Sequence, residues 1–376
     1  MRLLSNPKTK ITLVSATLVL ALLVIMLGAY TRLKNAGLGC PDWPGCYGFL
    51  TVPQSEEAQA IANNTFPHRP LEIEKAWPEM IHRYFAGSLG VLILGIFSYF
   101  LYLKTKHRQT SLKLPTVLLG LVIFQAILGM WTVTMGLFPT VVTSHLIAGF
   151  STFALLMLLL SKSILEQKKS YFEARPIKII KPETITRLSL KSLSLKSLSL
   201  IGLILLFAQI ILGGWTASNY AGLACTVLPI CEGAWWQQLQ VFDAFTLFGH
   251  SSTAYEYAQH ITPQAKRTIH VFHRVGAIAV TSYLSYFFFT LYRSCSAQSL
   301  GNTIIKKWVI CCLLLLIVQV TLGIANIIFQ MPLFVAVIHN ANAALLFAAQ
   351  LSLHFFIRQS SLFSLEPERD FHYAKN

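Results

Sequence analysis

Charge is what this sequence has least of. Only 12% of its 376 residues are Asp, Glu, Lys or Arg, and just 15 of them are acidic. A soluble domain averages about 25% charged residues, so an ordinary water-soluble fold is excluded. No Arg- and Ser-rich transit segment precedes the first apolar run, which favours a bacterial plasma membrane over an organelle. A small-residue cleavage site is also missing near the end of that run, so it reads as a retained helix rather than a signal peptide. The apolar runs have few internal breaks and their ionisable residues cluster at one edge. A transporter built from repeats would instead show broken helices with charge at the midplane.

Hydrophobic residues make up 54% of the chain. They fall into eight runs near 20 residues each, about 11–30, 80–103, 114–135, 140–160, 197–217, 268–292, 306–329 and 333–357. Each is long enough to cross about 30 Å of hydrocarbon as a helix, and lipid offers backbone groups no other partner. The expected fold class is therefore all-α integral membrane with eight transmembrane helices. The net charge of +15 suggests nucleic acid until it is mapped. Residues 1–10, 104–113, 161–196, 293–307 and 358–376 alternate with the others across the membrane and hold 22 of the 30 Lys and Arg. That asymmetry predicts cytoplasmic N- and C-termini. The implied partner is the lipid bilayer, and no nucleic acid is expected.

The sequence also repeats itself. Gly28, Thr31, Ala36, Gly37, Leu38, Cys40, Pro44, Cys46 and Gly48 recur 185 positions later as Gly213, Thr216, Ala221, Gly222, Leu223, Cys225, Pro229, Cys231 and Gly233. His82-Arg83 recurs as His273-Arg274, Gln125-x-x-Leu128-Gly129 as Gln319-x-x-Leu322-Gly323, and His145 as His339. Two homologous halves, 1–160 and 197–376, are joined by a cytoplasmic linker at 161–196. The low-complexity stretch LSLKSLSLKSLSL (188–200) leads from the linker into the fifth membrane helix, with no evident chemical role.

His82, His145, His273 and His339 all fall in the first turns of even-numbered membrane helices, at one depth. Ionisable groups in a membrane are costly and usually functional. Neutral imidazole is a common metal ligand, and axial ligation of haem iron is one established use. Two histidines from facing helices could clamp one haem per half. The other histidines, His68, His107, His250, His260, His354 and His372, lack repeat partners or lie in loops and read as surface residues. Cys40 and Cys46 share one outer loop, and Cys225 and Cys231 share another. Three readings stand for them: structural disulfides, redox-active disulfides or a metal site. Cys295, Cys311 and Cys312 have no repeat counterpart and read as inert thiols.

The halves differ at one telling place. Glu79 lies three residues before His82, whereas His270 lies three residues before His273. Positions i and i+3 share a helix face. Glu79 is either a proton acceptor and stabiliser of positive charge or an interfacial acid paired with Arg83 one turn on. Glycines such as Gly28, Gly129, Gly213 and Gly323 are expected to permit close helix approach. Trp43, Trp77, Trp131, Trp215, Trp235 and Trp236 are expected mainly as interfacial anchors.

TRLKNAGLGCPDWPGC, EMIHRYFAG, SHLIAGF, IHVFHRVGA and HNANAA together resemble the haem A synthase family, over the whole span from first to eighth helix. The resemblance implies two pseudo-symmetric four-helix bundles. It implies a haem b cofactor in the C-terminal bundle with His273 and His339 as axial iron ligands. His82 and His145 would flank the iron of the substrate, haem O, in the N-terminal bundle. The implied reaction oxidises the C8 methyl of haem O to a formyl group by successive hydroxylations, giving haem A for cytochrome c oxidase. Glu79 and the Cys40–Cys46 pair would be catalytic, with Cys225–Cys231 as a second disulfide candidate. A haem O synthase and oxidase assembly factors are the protein partners it suggests. The competing reading is a b-type haem electron-transfer membrane protein, which would need no carboxylate in one half alone.

Overall fold

The computed structural model describes residues 7–106, 110–173, 185–247, 261–295 and 300–359. Its elements in chain order are α1 (Pro7–Leu33), α2 (Glu56–Thr65), α3 (Ile73–Lys106), α4 (Lys113–Thr134), α5 (Pro139–Glu173), α6 (Ile185–Ser218), α7 (Val241–Ala244), α8 (Pro263–Ser294), α9 (Leu300–Ile328) and α10 (Leu333–Gln359). A single turn of 3-10 helix, Trp235–Gln238, precedes α7. Among the described residues there is no strand, only an isolated bridge between Cys46 and Phe49. Among the described residues eight helices are long and apolar enough to cross a membrane, and they match the eight apolar runs of the sequence, two of which end one residue beyond their helix. Even α4, with 22 residues, reaches about 33 Å at 1.5 Å per residue.

The surface of these helices is apolar. Val19, Val91, Ile123, Ile204, Phe289 and Ile317 each expose more than half of their area. Polar residues such as Thr17, Ser161, Ser352 and Gln350 are instead buried between helices. An apolar exterior of this extent fits lipid rather than water, and the chain is a multi-pass membrane protein.

Helix α1 packs on α3 and α5, and α4 packs on the same two. Helix α6 packs on α8 and α10, and α9 on the same two. Helix α10 also packs against α5 and α1, and α5 against α6. One apolar core therefore runs through the molecule, with Val14, Ile93 and Phe153 in the same cluster as Leu284, Phe287 and Leu346.

Much of the stretch expected as a linker is helical, because α5 continues to Glu173 and α6 begins at Ile185. Leu, Ser and Lys offer no helix breaker there, whereas Pro176 and Pro182 fall between the two helices. Residues 174–184 lie outside the described residues. So do His107, residues 248–260 with His250 and His260, and residues 360–376 with His372.

Corresponding helices end alike. Asn35 and Tyr220 adopt left-handed backbone at φ 53° and 54°, and the N–H groups of Ala36 and Ala221 reach back to the carbonyls of Thr31 and Thr216, each at 2.9 Å. This cap closes the last turn and redirects the chain. It delivers Cys40 and Cys225 over their own bundles. Leu137 and Met331 end α4 and α9 in the same manner, at φ 62° and 57°, with N–H bonds to the carbonyls of Thr132 (2.8 Å) and Asn326 (2.7 Å).

Candidate functional site

The cysteines close as Cys40–Cys46 and Cys225–Cys231, the Cα atoms 4.8 and 4.9 Å apart. Each loop is held down by the arginine that follows the first histidine of its half. Arg83 Nη1 donates to the carbonyls of Asp42 (2.9 Å), Pro44 (3.3 Å) and Gly45. Arg274 Nη1 donates to the carbonyls of Val227 (2.7 Å) and Ile230 (2.8 Å), and its Nη2 to that of Cys225 (2.6 Å). Carbonyls 42 and 45 are the repeat counterparts of 227 and 230.

Beneath each loop lies the residue that distinguishes the halves. Glu79 Oε2 accepts the N–H of Cys40 at 3.0 Å, and Oε1 pairs with Arg83 Nη2 at 2.5 Å. His270 Nδ1 lies 3.2 Å from the backbone N of Cys225, and its Nε2 lies 3.1 Å from Arg274 Nε. Glu79 and His270 are 4% and 3% exposed. The arrangement is thus common to both halves, with the Glu79 carboxylate in one at the position where the other has the His270 imidazole. Glu79 has its Arg83 partner and simultaneously touches the first cysteine of the disulfide loop.

The four repeated histidines are half-buried, and each stands against a glycine. A Cβ added at Gly28 would lie 2.9 Å from His82 Cε1, and one at Gly213 would lie 3.2 Å from His273 Cε1. At Gly129 and Gly323 the distances to His145 and His339 Cε1 are 3.5 and 3.3 Å. The repeated glycines therefore make room for imidazoles as well as for helix backbones. His82 and His145 are near enough to interact electrostatically, as are His273 and His339. Sequence alone places the histidines at one depth. It does not show that each glycine faces one of them, because that depends on the register between helices.

The surroundings of the rings differ. His82 Nδ1 and His145 Nδ1 are buried without a hydrogen-bond partner. Gln125 Nε2 reaches only the backbone carbonyl of His145, at 3.0 Å. In the other half, Gln209 Nε2 lies 3.0 Å from His273 Nδ1 and donates to the His273 carbonyl at 2.8 Å. Gln319 Nε2 lies 3.1 Å from His339 Nε2, and Asn342 Nδ2 donates to Gln319 Oε1 at 2.8 Å. Paired imidazoles in glycine notches, with unpartnered buried Nδ1 atoms on His82 and His145, fit an iron-bearing planar group. Imidazole is an established axial ligand for such iron.

Other expected residues fall outside this constellation. Trp43, Trp131 and Trp236 are exposed, but Trp215 is only 5% exposed and donates from Nε1 to the Ala244 carbonyl at 2.8 Å. It pins α7 to α6 instead of anchoring an interface. His68 is exposed. His354 is half-buried within α10, its Nδ1 3.2 Å from Ser199 Oγ, rather than at the surface. Cys295 and Cys312 are buried free thiols and Cys311 is exposed.

Residues 11–351 match the COX15-CtaA family model, described as cytochrome oxidase assembly protein. The chain is 45% identical over 353 residues to the Heme A synthase of Shewanella oneidensis, covering 93% of this chain and 97% of that protein. It is 26% identical over 366 residues to the Heme A synthase of Flavobacterium psychrophilum, covering 92% and 97%. Against the Heme A synthase of Nitrosospira multiformis the identity is 25% over 367 residues, 92% of each chain.

Proposed function

The chain belongs to the COX15-CtaA family of cytochrome oxidase assembly proteins, and on that premise we propose that it is a haem A synthase, an oxidoreductase that converts haem O to haem A. The observation that carries this reading is the pair of imidazole clamps, one preceded by Glu79 and the other, at the same position, by His270. A carrier of electrons alone would have no use for Glu79 in a single half.

The two halves form pseudo-symmetric four-helix bundles in this reading, 1–160 for the substrate and 197–376 for the cofactor. Support comes from the matching order in which α1, α3, α4, α5 and α6, α8, α9, α10 pack. His82 and His145 bind and orient haem O through its iron. Gly28 and Gly129 leave space for their rings. His273 and His339 would hold haem b, and that cofactor would supply an iron able to accept electrons from the substrate. Two successive hydroxylations of the C8 methyl, each taking the oxygen of one water and losing two electrons and two protons, would give a geminal diol, which loses water to leave the formyl group.

Glu79 acts at the substrate edge. Its carboxylate, fixed by Cys40 N–H and Arg83, stabilises positive charge and takes up a proton released from the oxidised methyl. The Cys40–Cys46 disulfide covers this group and keeps water from it. The chain sits in the bacterial inner membrane with both termini in the cytoplasm, as the distribution of Lys and Arg supports. A haem O synthase and oxidase assembly factors are its expected partners.

The test is haem extraction and chromatography from cells expressing the chain beside a haem O synthase. Haem A, or the hydroxylated intermediate, should appear only when the chain is present. Unchanged haem O, with haem b on the purified chain, would move the assignment to an electron-transfer cytochrome. In the same preparation, His273→Met and His339→Met should alter the haem b spectrum. If only His82 and His145 variants altered it, the halves would have exchanged roles.

A further inference from the structure

The end of the C-terminal half opposite its disulfide loop carries cations without acids. Between residues 257 and 365 the sequence contains neither Asp nor Glu, so α8, α9 and α10 offer their own cations no carboxylate. Arg293, in the last turn of α8, and Lys306, in the second turn of α9, enter no ion pair among the described residues. At the same end of the first half, Lys10 has Glu166 at 2.6 Å.

Aromatic rings hold the two cations instead. The guanidinium carbon of Arg293 lies 5.3 Å from the centre of the Phe289 ring, and Lys306 Nζ lies 5.2 Å from that of Tyr292. Contacts of this length are attractive, and both rings come from one turn of α8. Phe289, Thr290, Arg293 and Ser294 line a cleft of about 470 Å³, within the range of about 300–1,000 Å³ found for small-ligand sites. Tyr286 and Phe289 precede Arg293 on the same face of α8 and are 62% and 60% exposed. An apolar track thus leads from the charged cleft toward the middle of the membrane.

The repeat does not supply this feature. At the offset that carries His82 to His273, the counterparts of Tyr286, Phe289, Tyr292 and Arg293 are Gly95, Ser98, Leu101 and Tyr102. At the offset that carries Gln125 to Gln319, the counterpart of Lys306 is Leu112.

We propose that Arg293 and Lys306, with Phe289 and Tyr292, form a binding site for an anionic phospholipid of the cytoplasmic leaflet. The leaflet rests on the topology given above. Charge complementarity identifies the occupant: two cations whose helices hold no acid require an anion, and the exposed rings beside them require hydrocarbon. A phosphodiester joined to acyl chains meets both needs, whereas a free phosphate leaves the rings bare. The planar arginine fork takes phosphate oxygens in pairs, and the lysine adds a point charge from the neighbouring helix. Basic pockets between membrane helices on the cytoplasmic side take such head groups. The lipid would join the foot of α8, the helix that carries His273, to that of α9.

The experiment counts lipids on the purified full-length protein by native mass spectrometry, with phosphatidylglycerol or phosphatidylcholine added to the detergent. Phosphatidylglycerol should bind more tightly. Arg293→Gln and Lys306→Gln should each weaken it about fivefold and leave phosphatidylcholine unaffected. Phe289→Ser with Tyr292→Leu, the residues of the first half, should weaken it with no change of charge. Lys104→Gln with Lys106→Gln removes two exposed cations from the same end of the other bundle and should leave binding unchanged. Equal loss in that protein would reduce the effect to general surface charge and overturn the site. Wild-type binding in the Arg293→Gln, Lys306→Gln double variant would overturn it too. Bound phosphatidylglycerol should survive millimolar inorganic phosphate, and complete displacement would assign the cleft to free phosphate instead. Alkaline phosphatase fused after Asn376 tests the topology separately, since an active fusion would put the cleft in the outer leaflet whatever the lipid counts show.

Discussion

Glu79 and Arg83 form an ion pair of 2.5 Å one turn apart on α3, and the same two residues hold the first disulfide loop from below. The carboxylate takes the backbone N–H of Cys40, and the guanidinium takes the carbonyls that follow. His270 and Arg274 make the corresponding arrangement without a carboxylate.

Glu79→Gln should therefore leave haem b bound and reduce conversion of haem O. The amide can still accept from Cys40 but offers Arg83 no charge and accepts no proton at physiological pH. Haem extraction from cells carrying the variant checks this. An unchanged yield of haem A would remove Glu79 from the chemistry.

Arg83→Met should loosen the Cys40–Cys46 loop. Hydrogen bonds to a charged donor contribute about 1.5–3 kcal/mol each, so losing those to Asp42 and Pro44 should raise the rate of disulfide reduction by a water-soluble phosphine at least about tenfold. Lysine at the same position should fall between, since a point charge cannot span several carbonyls as the planar fork does. Mass spectrometry after alkylation gives the rate.

The glycine notches predict steric effects of opposite address. Gly28→Ala would place a methyl 2.9 Å from His82 Cε1 and should lower haem O turnover with the haem b spectrum unchanged. Gly213→Ala crowds His273 at 3.2 Å and should shift that spectrum. Absorption spectra of the two purified variants decide whether each notch serves its own half.

The second disulfide loop should weaken in acid. Burial works against the charge of Glu232, but hydrogen bonds from the Thr226 hydroxyl and the N–H groups of Thr226 and Val227 outweigh it and hold the pKa at about 2, below the ordinary 4.5. A depressed carboxyl contributes stability that is fully present above its unfolded value and is lost as pH falls through the folded one. Reduction of Cys225–Cys231 should thus accelerate between pH 4.5 and 2. Glu232→Gln should abolish that acceleration.

The membrane helices were legible in the sequence because long apolar runs have few other ways to satisfy their backbones. Their polar extensions were not. Helix α3 starts at Ile73 and α5 runs on to Glu173, in stretches without a hydropathy signal. The amphipathic helix α2 inside the first long loop was missed for the same reason. Within the site, repetition located the histidines, cysteines and Glu79. It could not reveal that Arg83 and Arg274 clasp loop carbonyls, since backbone acceptors leave no mark on residue identity. Trp215 looked like an interfacial anchor by depth, but the α7 segment folds back over it.

The apolar core shared by α1, α5, α6 and α10 has a consequence for the chain as an object that can be divided. Ser161 Oγ meets Ser352 Oγ at 3.2 Å, and Arg32 reaches the carbonyls of Ala217 and Ser218 while stacking on Tyr220. These contacts join the halves at both ends of the helices. Cut between α5 and α6, the polypeptide would yield two complementary fragments, each presenting the other's mating face, rather than two self-sufficient proteins.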